Sequence, residues 1–273
     1  LFQDQPFPYP VEILEVIEST QTYLKKKVEE ESLPDGYTVV ALHQVEGRGR
    51  FHRRWWSGKG SLPFSFWVSF SEDLSSEKLF LLPLLSATAL VETIRSLVDF
   101  PSPPVGIKYP NDILYPDGKK VAGILLEGVL KGGRFTGGVL GVGVNLYEGE
   151  VPPSPFKERI GFLSRIVPED FLKREDFPLL FVGRFLEIFF RFFSSWEKGE
   201  DDYLSSYHTY LLPSFRLVRV REKNPATGNE EVGYIENIDR RGVVTIRTKD
   251  GRTVSVPFPY LEGEDLPFPL ENL

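Results

Sequence analysis

The sequence predicts an α+β chain, with a mixed sheet and its helices over residues 1–212 and a small β-barrel over residues 213–273. Three observations lead there. Strand-like runs interleaved with amphipathic helical runs fill the first part. From residue 214 the texture changes to short alternating runs split by polar turns, which suits a barrel of about 60 residues. The length, 273 residues, gives room for one large unit and one small one.

Residues 11–31 carry apolar positions at Val11, Leu14, Val16 and Ile17, then at Tyr23, Leu24 and Val28. Glu18-Ser19-Thr20 interrupts them, so Ser19 or Thr20 is the expected N-cap of a helix formed by the second run. Residues 37–44 are β-rich, and residues 62–70 alternate as a strand does. Apolar residues at three- and four-residue spacing predict a helix over 80–97, ended by the proline cluster 101–104. Strands follow at 105–108 and 120–130, joined by a turn over 111–118, and again at 135–146. Residues 150–155 are proline-rich and expected to be mobile. One helix is expected over 168–198, where Arg184, Glu187 and Arg191 make a greasy stretch amphipathic, and another over 200–210. Strands at 215–221, 231–238, 243–248 and 253–257 make up the barrel, with turns at 224–229 and 249–251.

Composition narrows the chemistry. No apolar run approaches the roughly 18 residues of a membrane span, and residues 1–10 lack the pattern of a signal peptide, so a cytoplasmic protein without membrane contact is expected. The absence of cysteine excludes disulfides, thiolate nucleophiles, Cys-zinc sites and iron–sulfur clusters. The histidines, His43, His52 and His208, have no metal-ligand spacing. A net charge of −7 argues against a protein that coats DNA or RNA.

Basic character is local instead. Residues 47–55, Gly-Arg-Gly-Arg-Phe-His-Arg-Arg-Trp, hold four arginines and two glycines. The glycines deny the segment a stable helix or strand, and guanidinium forks with backbone N–H groups suit an anion that arrives and leaves. A solvated basic turn is the competing reading. Lys108-Tyr109-Pro110-Asn111-Asp112 ends a strand in a proline-fixed turn, where Asn and Asp brace turns but where α/β ligand sites also lie. Lys108 and Asp112 are the expected charge pair. Lys119 and Lys120 sit at the mouth of an apolar strand on which Ala122 and Gly123 leave space for a close neighbour. In Gly141-Val142-Gly143-Val144-Asn145, alternation puts both glycines and the asparagine on one face and the valines on the other. Either a ligand or a neighbouring helix presses on that bare face. The dinucleotide fingerprint and the P-loop are both absent.

Together, Ser19-Thr20, the Gly-Arg-Gly-Arg-x-x-Arg-x-Trp loop, Lys-Tyr-Pro-Asn-Asp, Lys-Val-Ala-Gly-Ile-Leu and Gly-x-Gly-x-Asn resemble the biotin–protein ligase family in order and spacing, from Ser19 to the C-terminus. The resemblance implies a catalytic domain of the class II aminoacyl-tRNA-synthetase-like kind and a C-terminal SH3-like barrel that helps to bind ATP and carrier. It also implies formation of biotinyl-5′-AMP from biotin and ATP with Mg²⁺, then transfer of biotin to a lysine of a biotin carboxyl carrier protein of a biotin-dependent carboxylase. By the same resemblance Ser19, Thr20, Gln44 and Arg48 hold the ureido end of biotin. Trp55 forms an apolar wall, and Gly123, Gly141 and Gly143 let the flat ligand approach the sheet. Lys120 contacts the carboxylate and α-phosphate, while Arg48, Arg50 and Arg53 close over the phosphates. Asp112 accepts the carrier lysine's proton. Lys108, Asn111 and Asn145 lie with the adenylate, Asn145 also near the metal, and residues 147–160 cover the adenine.

The sequence departs from the family at His52, where glycine is usual, at Tyr109 in place of tryptophan, and at Gln21-Thr22, which puts ureido contacts from those two positions in doubt. Only 18 residues precede Ser19, too few for the DNA-binding module many relatives carry, so a dedicated ligase without DNA is expected. Family members are often dimers through the catalytic sheet. A lipoate or octanoyl transferase shares the fold, though some use a cysteine absent here. A non-catalytic biotin sensor would not need Lys120 and Asp112.

Overall fold

The computed structural model describes residues 9–49, 54–70, 79, 81–98, 104–149, 159–200, 202–213, 217–220, 232–257 and 261–263. Seven strands, β1 (Val11–Ile17), β2 (Thr38–Gln44), β3 (Ser61–Ser69), β4 (Gly106–Lys108), β5 (Asp112–Leu114), β6 (Lys120–Lys131) and β7 (Arg134–Asn145), form one sheet in the order β1-β2-β3-β7-β6-β5-β4. β1 runs parallel to β2, and every other pair is antiparallel. The sheet is mixed, as expected. The apolar run 11–17 is its edge strand, and the following run is helix α1 (Thr20–Glu30), whose N-cap is Ser19.

The two faces of this sheet differ. Leu62, Phe64, Phe66 and Val68 of β3, with Leu140, Val142 and Val144 of β7, point into the main core. There they meet α2 (Leu82–Arg95), buried nearly all round because it lies between sheet and helices, and α4 (Phe177–Glu197). Phe185 and Phe189 of α4 pack edge-on against Phe64 and Phe66, with ring centroids 4.8–5.5 Å apart. The opposite face carries a second cluster at one end, where Leu24 and Val28 of α1 cover Val39, Trp67, Val129 and Val139.

The expected helix over 168–198 is broken in two. α3 (Glu169–Leu172) ends before Phe177-Pro178 begins α4, because a proline inside a continuous helix lacks a donor and clashes with the preceding turn. α5 (Asp202–Tyr210) follows. The expected turn over 111–118 contains the short strand β5, drawn into the sheet by its buried Ile113 and Leu114. Beneath it, burial pushes the Tyr115 phenol up to about 12, against the opposing pull of the Arg165 guanidinium, 4.5 Å from the ring.

β8 (Leu217–Val220), β9 (Val232–Ile238), β10 (Val243–Thr248), β11 (Thr253–Pro257) and β12 (Leu261–Gly263) form a second sheet, antiparallel throughout, in the order β11-β10-β9-β8-β12. β12 was not among the expected strands. Among the described residues no ladder joins β11 to β12, so the expected barrel reaches only as far as an open five-stranded sheet. His208 on α5 ties that sheet to the first part, its Nε2 accepting from the Ile238 N–H at 3.2 Å. The proline-rich residues 150–155 lie outside the described residues. Among those described, no helix is long and apolar enough to cross a membrane.

Phe185→Ala should empty the junction between α4 and β3 and cost about 3–5 kcal/mol. Equilibrium denaturation checks this, and a loss under about 1 kcal/mol would contradict the packing.

Candidate active site

The arginine segment rises from the end of β2 as a hairpin. Gln44 bridges to Ser57 and Arg48 to Arg54, and the Trp55 N–H donates to the Gly47 carbonyl at 2.8 Å. Gly47 is glycine for a steric reason: a Cβ there would lie 2.5 Å from the Trp55 carbonyl oxygen. Arg54 donates to the Val45 carbonyl and so belongs to the hairpin base. Arg50, His52 and Arg53 lie outside the described residues.

Trp55 reaches from this hairpin onto the sheet. In the β3–β7–β6 register Gly143 stands opposite Pro63 and Gly123, and Gly141 opposite Ser65 and Leu125. Val142 and Val144, on the other face, are buried in the core, so the alternation read from the sequence holds. The bare face is covered by the protein's own groups. A Cβ on Gly143 would collide with the Trp55 indole, and one on Gly123 would lie 2.8 Å from Lys120 Nζ and 3.3 Å from the indole. One on Gly141 would lie 2.5 Å from Gln21 Oε1. The neighbouring-helix reading thus describes Gly141, since Gln21 is on α1. At Gly143 the cover is the Trp55 side chain from the hairpin, and at Gly123 it is the Lys120 side chain with the edge of that indole. Trp55 Nε1 is buried there with no hydrogen-bond partner.

Under α1 a chain of buried polar groups joins three elements. Gln44 Oε1 accepts from the Thr20 N–H at 2.8 Å and from its hydroxyl at 3.1 Å. Thr20 Oγ1 and Ser65 Oγ are 2.8 Å apart, so with the Thr20 proton on Gln44 the Ser65 hydroxyl donates to Thr20, with Gln21 Oε1 at 3.3 Å as its alternative acceptor. Gln21 Nε2 closes the chain on the Val139 carbonyl at 2.9 Å. All four side chains are buried and satisfied, which fixes their rotamers. Gln44, engaged through Oε1, turns its Nε2 toward Gly47 and the hairpin.

Charge gathers at the other end of the bare face. Asp112 opens β5 and Lys120 opens β6, and the Lys120 Nζ to Asp112 carboxylate distance is 2.7 Å. The expected Lys108–Asp112 neighbours stand opposite one another in the β4–β5 ladder, and the carboxylate also meets Lys120. Lys120 Nζ also lies 5.4 Å from the Trp55 ring centroid, within cation–π reach. Asn145 Nδ2 donates to the Lys120 carbonyl at 3.0 Å, and Asn111 donates to the Ile124 carbonyl. The Tyr207 hydroxyl holds the Pro110 carbonyl at 2.9 Å, so α5 braces the turn that presents Asp112. Lys108, Asn111 and Asn145 are buried.

Arg48 is not unpartnered. Its Nη2 is 3.3 Å from Glu127 Oε1 and its Nη1 3.4 Å from Oε2, and Nη1 also lies 3.4 Å from Thr22 Oγ1. The structure therefore brings Lys120, Asp112, Gly123, Gly143, Trp55 and Asn145 into one contact set. Thr20, Gln44 and Gly141 form a second set under α1, and Arg48 joins the hairpin to β6. Gln21 was noted in the sequence only as a departure from the family, and Ser65 and Glu127 were not singled out. A small polar residue inside an apolar strand marked Ser65, and an acid in register with Gly123 marked Glu127.

The geometry has counterparts. A sequence model described as the Biotin/lipoate A/B protein ligase family matches residues 13–145. The bifunctional ligase/repressor BirA of Bacillus spizizenii is 29% identical over 248 residues, 87% of this chain and 69% of that protein. The chloroplastic biotin–protein ligase 1 of Arabidopsis thaliana is 32% identical over 193 residues, 70% of this chain and 50% of that protein. In fold, the chain is similar to the biotin protein ligase from Aquifex aeolicus in complex with biotin and ATP, with a TM-score of 0.69, 23% identity, and coverage of 93% of this chain and 98% of that one. Over residues 13–145 the chain matches the Biotin/lipoate A/B protein ligase family, and the relatives it resembles beyond that stretch are biotin–protein ligases.

Proposed function

We propose that the chain activates biotin with ATP to biotinyl-5′-AMP and passes the biotinyl group to one lysine of a biotin carboxyl carrier protein of a biotin-dependent carboxylase. The observation that carries this reading is the Lys120–Asp112 pair, 2.7 Å apart at the edge of a sheet surface without side chains at Gly123 and Gly143. A flat, uncharged bicycle needs such a surface, and a carboxylate meeting a triphosphate needs such a cation.

In the first step the biotin carboxylate attacks the α-phosphorus and the bond to the bridging oxygen breaks, releasing pyrophosphate. Two anions must approach, and Lys120 exchanges Asp112 for them, which leaves the Asp112 carboxylate free for the second step. Arg48, with Arg50 and Arg53, closes over the phosphates and keeps water from the mixed anhydride. Trp55 gives up the floor to the bicycle and becomes its wall, while Ser19, Thr20, Gln44 and Arg48 take the ureido end. Gly141 serves indirectly, by admitting Gln21. Lys108, Asn111 and Asn145 line the adenylate, Asn145 also holding the backbone of Lys120.

In the second step the carrier's lysine amine attacks the acyl carbon, AMP leaves, and the proton passes to Asp112, which Lys120 has released. Magnesium enters with the ATP phosphates. Among the described residues no three His, Cys, Asp or Glu side chains converge to hold it otherwise, so it would be held by the phosphates, with Asn145 beside it, and would offset their charge. Residues 213–273 form the domain whose five-stranded sheet belongs to an SH3-like barrel, helping to bind ATP and carrier.

Pyrophosphate released on adding biotin and ATP tests the whole reading; release with lipoate and none with biotin would reverse it. Lys120→Ala should lower biotin-dependent pyrophosphate release about 10²–10³-fold with an unchanged melting curve, and full activity would remove Lys120 from the mechanism. Asp112→Asn should slow transfer from preformed biotinyl-5′-AMP about 10²-fold, measured by carrier labelling in a single turnover. Gly143→Ala should push the Trp55 ring off the sheet. Tryptophan emission should shift to the red, and the shift should vanish in a Trp55→Phe background. An unchanged spectrum would mean that the ring does not rest there.

A further inference from the structure

We propose that Glu127 is the positioning residue of the arginine hairpin: its carboxylate holds Arg48, and through it the entrance of the loop, against the site face of β6. This rests on reading the site as one that adenylates biotin.

Arg48 and Glu127 meet nitrogen to oxygen at two points, 3.3 and 3.4 Å, the fork-to-fork arrangement that fixes a guanidinium's plane as well as its place. They are 79 residues apart, so the contact ties the hairpin to a distant strand. Glu127 alternates along β6 with Leu125 and Gly123, which puts it on the same face as the glycine floor. Lys120 opens that strand, so a single rigid element carries both the cation for the reacting carboxylate and the anchor for the loop. The ion pair is half-exposed on the arginine side, and such pairs stabilise folded chains little. What it supplies is orientation.

Glu127 also faces a second cation, Lys25 on α1, at 4.0 Å. Without the carboxylate, Lys25 and Arg48 would face one another as like charges, and Arg48 would keep only the weak contact to Thr22 Oγ1. The loop entrance at Arg48, and its bridge to Arg54, would then loosen.

The test compares Glu127→Gln, Glu127→Ala, Glu127→Asp and the charge-swapped double variant Arg48→Glu/Glu127→Arg in the full chain. In the absence of ligand, trypsin cleavage within the hairpin should speed up about tenfold in E127Q and E127A and return toward the parent rate in the double variant. With biotin and ATP, the same single variants should raise the KM for biotin and the release of free biotinyl-5′-AMP about tenfold, with kcat for pyrophosphate release changed less than threefold. E127D should fall between them and the parent, and melting curves should coincide. Parent-like cleavage, KM and leakage in E127Q and E127A would overturn the proposal, as would a lowered melting temperature with no change in KM or leakage. If the parent chain releases no pyrophosphate with biotin, the reading of the reaction fails while the cleavage rates still decide whether Glu127 anchors the hairpin.

Discussion

The site depends on one ion pair, that of Lys120 with Asp112. In the β5–β6 ladder Asp112 stands opposite Gly123 and Lys120 opposite Leu114, so the Lys120 side chain reaches back along β6, over Gly123, to meet the carboxylate. The surrounding contacts serve that placement: Asn145 holds the Lys120 carbonyl, Asn111 and Tyr207 hold the turn before Asp112, and Ile113 and Leu114 keep the three-residue β5 in the sheet. A cation kept beside its own carboxylate has a low-cost resting partner, and an arriving anion replaces an existing interaction and need not desolvate a bare charge. A pair that remained closed would be structural. A pair that exchanges partners is a catalytic device.

The two faces of the sheet divide the labour. On one, the phenylalanines of α4 and the fully enclosed α2 lock β3, β7 and β6 into a packed core, and close packing transmits strain poorly into large movement. On the other, side chains are missing where Gly123 and Gly143 stand, and the cover is the Trp55 indole from a hairpin together with the Lys120 side chain. Trp55 Nε1, buried without a partner, marks that cover as incomplete.

The order of elements and the mixed sheet were legible because period-2 and period-3.6 patterns report burial directly, as in Gly141–Asn145 with its valines inward. The broken helix at Lys173–Asp176 was legible too, in Pro178, but the apolar residues on both sides masked it. Asp112 was paired with Lys108, its nearest cation in sequence, and the ladder does set the two opposite one another; its contact with Lys120 was not legible because the strand that brings them together is only three residues long and reads as a turn. Gly141 and Gly143 looked alike, yet one makes room for Gln21 and the other for Trp55; spacing along a strand cannot show what lies above it. The partner of Arg48 was invisible for the same reason, since Glu127 is a contact between distant segments.

The most direct test of the ion pair as an exchanging device is a crystal structure of the chain with a non-hydrolysable biotinyl-adenylate analogue. The exchange account predicts the bicycle on the Gly123–Gly143 floor with Trp55 displaced to its side, and Lys120 Nζ hydrogen-bonded to the analogue at its acyl–phosphoryl junction and no longer to Asp112. An analogue bound with the Lys120–Asp112 pair intact and the indole still on Gly143 would contradict it.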